Sequence, residues 1–429
     1  MTNFDLSVLF FLQMAVILAT CRVVGLIARC LGQPPVVSEM IAGVVLGPSL
    51  FGAIRPDLHG ALFPRASMTI IFAVAQLGLV VYMFLVGVEF RADLIRRRVR
   101  SAASVSAAGI LAPFALGSLI ALFIHGGWHG DGHGDGAMFS EKVRAGQAVL
   151  YMGAAMSITA FPMLARIIHE RGLSGTSLGT LALASGSIDD AAAWCVLAIV
   201  LASFGGAAMI AVIAIGGGLL YALVVLLGLR PALVPLARRV ERGEGMSYPM
   251  LGFVLALVML GSWYTDRIGI YAVFGAFILG TAMPRGKFAE ELQRLMMPLT
   301  TSLLLPLFFV YSGLNTKIGL VNTPYLWGVS LVVLAAACLG KGVACWLAAR
   351  LNGEPSGEAV AIGALMNARG LMELIILNIG YERGIITQTL FSIMVMMAIV
   401  TTLMATPIFE LVYGRRGRVL GTVGAVRTT

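Results

Sequence analysis

Two adjacent carboxylates stand in an apolar run of the 429-residue chain, Ser187-Ile188-Asp189-Asp190-Ala191-Ala192-Ala193-Trp194. An ionisable side chain in such a run is costly enough to be a functional candidate by default. Consecutive residues of a helix diverge by about 100°, so Asp189 and Asp190 cannot face one partner equally and are expected to have different jobs. Lys341, in Cys338-Leu339-Gly340-Lys341-Gly342-Val343, is the natural partner, because the chain has four lysines and the other three lie in predicted loops. An unpaired ammonium in apolar surroundings gives up its proton, and a neighbouring carboxylate restores it. The alternative is a static Lys–Asp bridge that only fixes helix packing. Arg369 and Glu373, one helical turn apart, are placed to neutralise each other.

Two interruptions accompany these charges, Thr159-Ala160-Phe161-Pro162 and Asn367-Ala368-Arg369-Gly370. Proline removes a helical hydrogen bond and glycine weakens the helix, so each segment is expected to unwind mid-way. Ser157 and Thr159 stand at the first break and Asn367 at the second. Carboxylate oxygens, a hydroxyl and freed carbonyls are hard ligands that suit a small alkali cation, and are too few to replace the hydration shell of a divalent ion. The expected cation ligands are Asp190, Asp189 and Thr159, with Lys341 as the charged partner and Ser157, Asn367, Arg369 and Glu373 as support. A desolvated carboxylate holds a proton when the cation is absent. A site that takes one or the other, facing two sides alternately, is an exchanger.

The elements that must position these groups are membrane helices. The chain is 59% hydrophobic and 12% charged, against about 25% charge in soluble proteins, and its mean hydropathy is +0.93. Cutting at charged or Gly/Pro-rich breaks gives thirteen expected spans, roughly 7–30, 36–51, 68–88, 101–125, 145–168, 176–202, 207–229, 247–265, 268–283, 297–314, 323–351, 357–380 and 385–412. With the N-terminus outside, 20 of the 30 Lys and Arg fall in inner connections or at the inner ends of spans, seven in outer connections and three deeper within spans, which is the bias of cytoplasmic loops. Six helices, a bridge and six more place the second set upside down relative to the first, and the two breaks fall in corresponding spans. The expected plan is a first repeat over 1–205, a bridging helix and cytoplasmic loop over 206–246, a second repeat over 247–414 and a short basic cytoplasmic tail over 415–429.

Other features point away from other functions. The net charge of +9 is accounted for by the inside bias, so no nucleic-acid partner is expected. Cys21, Cys30, Cys195, Cys338 and Cys345 are too scattered for a disulfide framework or zinc site. The long first apolar stretch, preceded by Asp5 and no basic residue, is not expected to be a cleaved signal peptide. The Gly126–Gly136 run carries His129, His133, Asp131 and Asp135; so many glycines impose no ligand geometry, and a solvated external loop is expected in place of a zinc or nickel site. Phe288, Leu292, Leu295 and Met296 form the apolar stripe of an expected amphipathic helix on the inner surface. Glu39 and Glu89 are expected to be ordinary interfacial glutamates. No phosphate loop or nucleophile–base pair marks an enzyme, no cofactor is expected, and no rings of like side chains mark a channel. A sodium-coupled symporter for an organic solute stays open as a different class of transporter.

The sequence resembles the monovalent cation/proton antiporters, in the branch of Kef-type potassium efflux systems, plant cation/H+ exchangers and bacterial Na+/H+ antiporters. The blocks that carry the resemblance are Gln33-Pro34-Pro35-Val36-Val37-Ser38-Glu39, Gly43-Val44-Val45-Leu46-Gly47-Pro48-Ser49, Phe84-Leu85-Val86-Gly87-Val88-Glu89 and Ile158-Thr159-Ala160-Phe161-Pro162-Met163-Leu164-Ala165-Arg166. Asp189-Asp190, Gly340-Lys341 and Met366-Asn367-Ala368-Arg369-Gly370-Leu371-Met372-Glu373-Leu374 complete the set. The resemblance implies an all-α polytopic protein with inverted six-helix repeats and two discontinuous crossing helices. It also implies a homodimer in the bilayer, with Asp190 as carrier of cation and proton and Asp189 paired with Lys341. Unlike Kef systems the chain has Asp-Asp at the carrier position and no C-terminal nucleotide-binding domain in its 429 residues. The first difference shifts the expected ion toward Na+ and the exchange toward electrogenic, with K+/H+ or electroneutral exchange as the alternative. The expected location is the bacterial inner membrane, N-terminus outside and C-terminus in the cytoplasm.

Overall fold

Long apolar runs bounded by glycine, proline and charge become helices because a chain in lipid must satisfy every backbone group within the segment. The computed structural model of the chain describes all residues except 1, 31, 32, 34, 91–98, 126–137, 160, 174, 175, 206, 207, 370, 410 and 413–429. The glycine- and histidine-rich loop, most of the Arg91–Arg100 connection and the basic tail therefore lie outside the described residues. Among the described residues the regular structure is helical, with one isolated antiparallel bridge between Phe139 and Ile386. Nine helices among them are long and apolar enough to cross a membrane, so the chain is an integral membrane protein.

In chain order, α1 is Asn3–Cys30, α2 Pro35–Leu46, α3 Arg65–Glu89, α4 Val99–His125, α5 Ala145–Ser157, α6 Phe161–Glu170, α7 Ser177–Gly205 and α8 Ala208–Leu223. Then follow α9 Tyr248–Arg267, α10 Ala272–Ala282, α11 Lys287–Leu299, α12 Leu305–Leu314, α13 Pro324–Ala337, α14 Ala344–Leu351, α15 Ser356–Met366, α16 Leu371–Glu382 and α17 Gln388–Phe409. The pairs α5/α6 and α15/α16 are the two expected interrupted helices. A π-helical turn at Cys338–Val343 joins α13 to α14 and carries Lys341; such turns frequently mark functional positions.

The chain forms two compact units, each drawn from three stretches. The first comprises Met1–Val23, Ala42–Ala92 and Trp194–Asn315. Its core gathers Val80, Phe84 and Leu85 of α3 with Val254 and Val258 of α9, Leu279 of α10 and Phe288, Leu292 and Met296 of α11. The amphipathic helix expected from the sequence forms here, with Lys287, Glu290 and Arg294 exposed, but it packs on protein. Helix α11 runs through a π-helical turn at Thr300–Leu304 directly into α12, and its apolar stripe is buried in this core, with Leu295 alone of the four left 37% exposed. Where α2 crosses α12, a Cβ on Gly43 would lie 2.7 Å from the Val310 Cα; bare glycine lets the two backbones meet, as small residues do between membrane helices.

The second unit comprises Val24–Ile41, Asp93–Ala193 and Thr316–Thr429. It contains both interrupted helices, the Asp189-Asp190 part of α7 and the Lys341 turn. Glu39, expected at the interface, is buried here beside Val36, Val37 and Met40 because its whole helical turn is packed; Glu89, at the end of α3 in the first unit, is exposed.

Candidate functional site: a buried charge cluster between two helix breaks

Helix α5 ends at Ser157, and the last carbonyls of a helix lack intrahelical donors. Two cations from distant parts of the sequence meet them. The Lys341 ammonium donates to the Ser157 carbonyl oxygen, and Arg369 Nη2 donates to the Met156 carbonyl oxygen at 2.9 Å. Each puts positive charge on the negative end of the helix dipole, which is favourable and stronger away from water. Ser157 thus contributes its backbone, while its hydroxyl turns back to the Ala154 carbonyl at 2.9 Å.

Lys341 Nζ also lies 3.5 Å from Asp189 Oδ2, both side chains wholly enclosed. The Thr159 hydroxyl donates to the same Oδ2, and the buried Ser106 of α4 approaches the same carboxylate. Room for this arrangement comes from Gly109, where a Cβ would sit 2.8 Å from Cys345 Sγ and 3.6 Å from Asp189 Oδ2. At the second break Arg369 Nη1 lies 3.4 Å from Glu373 Oε2, again with no exposure of either side chain. The Asn367 amide donates to Cys338 Sγ at 3.7 Å, and its oxygen has no hydrogen-bond partner among the described residues.

Asp190 is 3% exposed. Among the described residues it makes no hydrogen bond or ion pair, and its Oδ1 is a buried acceptor without a donor. The charges described around the breaks are three carboxylates (Asp189, Asp190, Glu373) and two cations (Lys341, Arg369). With the two ion pairs formed, one carboxylate is left over.

The structure therefore joins Ser157, Thr159, Asp189 and Lys341 in one network and Arg369 with Glu373 in a second, both anchored on the end of α5. Among the described residues neither Thr159 nor Asn367 hydrogen-bonds Asp190; the Thr159 hydroxyl joins Asp189, the other expected carboxylate ligand. Sequence reading missed Ser106, Gly109 and Cys345. A partial signal existed for two of them, since Ser106 and Gly109 are three apart in α4 and share a face.

The family model described as the transmembrane sodium/hydrogen exchanger matches residues 15–412. The chain belongs to the sodium/hydrogen exchanger family. Within the cation/proton antiporters of this family it is 38% identical over 409 residues to the Na+/H+ antiporter NhaS4 of Synechocystis, covering 93% of this chain and 95% of that one. It is 35% identical to the cation/H+ antiporter 17 of Arabidopsis thaliana, covering 94% of this chain and 48% of the plant protein. With the K+/H+ antiporter 1 of Saccharomyces cerevisiae the identity is 31%, over 94% of this chain and 46% of the yeast protein. The exchanger thus spans about half the length of its plant and yeast relatives. The solved structure of the sodium proton antiporter MjNhaP1 from Methanocaldococcus jannaschii matches 94% of this chain and 96% of that one with a TM-score of 0.58 at 16% identity. The fold is that of a Na+/H+ antiporter.

Proposed function

We propose that the chain is a secondary antiporter that exchanges a monovalent cation, Na+ first, for protons at Asp190 by alternating access. The observation that carries the reading is the charge count: two enclosed ion pairs, Lys341–Asp189 and Arg369–Glu373, leave the Asp190 carboxylate without a countercharge among the described residues. One proton or one monovalent cation neutralises it, and the second arrival is then unwelcome in a medium where an isolated charge costs several kcal/mol. That competition is the coupling rule of exchange. Relatives named as Na+/H+ and K+/H+ antiporters support the class.

The same reading takes in the inverted repeats over 1–205 and 247–414, a homodimer in the bacterial inner membrane, and the N-terminus outside with the C-terminus in the cytoplasm. A second reading, electroneutral or K+/H+ exchange, is favoured by one contact. The Ser157 carbonyl is a partner that Lys341 keeps even if Asp189 leaves it, so the ammonium need not lose its proton during the cycle.

Purified protein in vesicles with an internal pH dye tests the proposal. External Na+ should drive proton movement, and in the range where proton and cation compete, one pH unit of acidification should raise the half-saturating Na+ about tenfold. Equal half-saturation across two pH units would overturn a shared site.

A further inference from the structure

At the second break the peptide of Arg369 lies between α15 and α16, outside either helix, so its N–H and C=O have no place in a helical ladder. In lipid such groups must be satisfied by protein. One side chain does this for both. Thr402 of α17, fully buried, accepts from the Arg369 N–H at 3.1 Å and sits 2.5 Å from the Arg369 carbonyl oxygen, to which it can donate. Its hydroxyl has a single proton, and a second acceptor competes for it: the Ala398 carbonyl one turn back, at 2.7 Å. The neighbouring Thr401 is buried in the same helix but makes only local bonds, to Met397 and Ala398 at 2.9 and 3.1 Å.

We propose that Thr402 is a positioning residue for ion binding. It clasps the unwound Arg369 peptide, and the Arg369 guanidinium, held at its root, reaches across to the Met156 carbonyl at the end of α5. The next carbonyl, Ser157, carries Lys341, which faces Asp189. Thr402 thus braces one broken helix against the other and fixes the cations that balance the carboxylates, without touching the ion. The inference rests on the exchange reading above and adds to it a residue that composition does not distinguish from the other threonines of α17.

The test compares Thr402→Val, which removes the hydroxyl at nearly constant volume, with Thr402→Ser, which keeps it, and with Thr401→Val as a control of equal burial. Reconstituted protein is titrated with Na+ while internal pH is followed. Thr402→Val should raise the half-saturating Na+ about tenfold, as expected for loss of one or two buried hydrogen bonds, while the rate at saturating Na+ falls less than threefold. Thr402→Ser and Thr401→Val should stay within about twofold of wild type on both measures. If Thr402→Val yields no folded protein, Thr402→Cys, with a weaker donor of similar size, should fall between the serine and valine expectations. Wild-type half-saturation in Thr402→Val, or equal impairment of the serine and valine variants, would overturn the positioning role. Wild-type exchange is measured first in the same vesicles: its absence would sink the exchange reading itself, which separates the two failures.

Discussion

Lys341 holds Asp189 at 3.5 Å across a fully enclosed ion pair, and shares the same ammonium with the Ser157 carbonyl. The two partners imply two kinds of cycle. If a cation at Asp190 draws Asp189 away and Lys341 then releases its proton, two protons cross for one cation and each turnover moves net charge. If the carbonyl keeps Lys341 charged, Asp190 alone titrates and exchange is neutral.

A membrane potential separates these cycles. On the first, an imposed potential of about 100 mV, worth about 2.3 kcal/mol per elementary charge, should accelerate wild-type exchange in vesicles, and Lys341→Gln should remove that dependence even where transport survives. Wild-type rates that ignore the potential would make Lys341 a structural cation and set the coupling at one to one.

Asp190 is the carboxylate left over after pairing, and Asp190→Asn removes its charge with little change of size. Exchange should fall by at least about 100-fold, the scale on which a positioned proton carrier contributes, while the detergent-solubilised protein keeps its size-exclusion profile. Full Na+-driven proton movement by that variant would rule out Asp190 as carrier.

Thr159 is tied to Asp189 and not to the neighbouring carboxylate, so its removal should act through the ion pair. Hydrogen bonds to charged groups are worth about 1.5–3 kcal/mol. Thr159→Val should therefore shift half-saturating Na+ by roughly tenfold or more, and Thr159→Ser, which restores the donor, should return it to near wild type. Identical titrations for the valine variant and wild type would show that the hydroxyl contributes nothing to the site.

The charges of this site were legible from composition because ionisable residues in apolar runs are rare: Asp189, Asp190, Lys341, Arg369 and Glu373 stand out from their neighbours in sequence. The breaks were legible because proline and glycine punctuate helices. Partners were not. Which of two adjacent carboxylates takes Lys341 depends on the rotation of α7, and whether Thr159 faces one or the other depends on backbone geometry after the break. Neutral residues away from the breaks were invisible for a different reason. Threonine, serine and small residues recur throughout membrane helices, so nothing in the letters separates Thr402, which clasps a broken peptide, from Thr401, which back-bonds its own helix. The burial of Glu39 and the continuity of α11 with α12 came from packing of whole faces, which the residue pattern allowed without requiring.

Orientation rests on counting arginines and is open to direct labelling. In a chain with Cys30→Ser, a cysteine at exposed Asp57, between α2 and α3, should react with a membrane-impermeant maleimide in intact cells, and one at exposed Glu241, after α8, only once the membrane is opened. The reverse pattern would invert the topology.

Gly109 offers the sharpest check on the packing of the site, because the predicted outcome includes a rescue. A Cβ there would stand 2.8 Å from Cys345 Sγ, closer than carbon and sulfur tolerate, and Cys345 is itself held in the cluster with its thiol toward the Val105 carbonyl at 3.6 Å. Gly109→Ala should therefore push α4 from the Lys341 turn, at a cost of about 1–3 kcal/mol for overpacking, and lower Na+-driven exchange several-fold. Cys345→Ala alone removes one buried sulfur and should cost less. The double variant Gly109→Ala, Cys345→Ala exchanges one volume for the other, so its exchange rate and melting temperature should lie closer to wild type than those of Gly109→Ala. Contacting residues couple by 0.5–3 kcal/mol in such cycles. Strict additivity of the two substitutions would show that α4 and α14 do not meet at this point, and with it that the enclosure of the Lys341–Asp189 pair is looser than the structure has it.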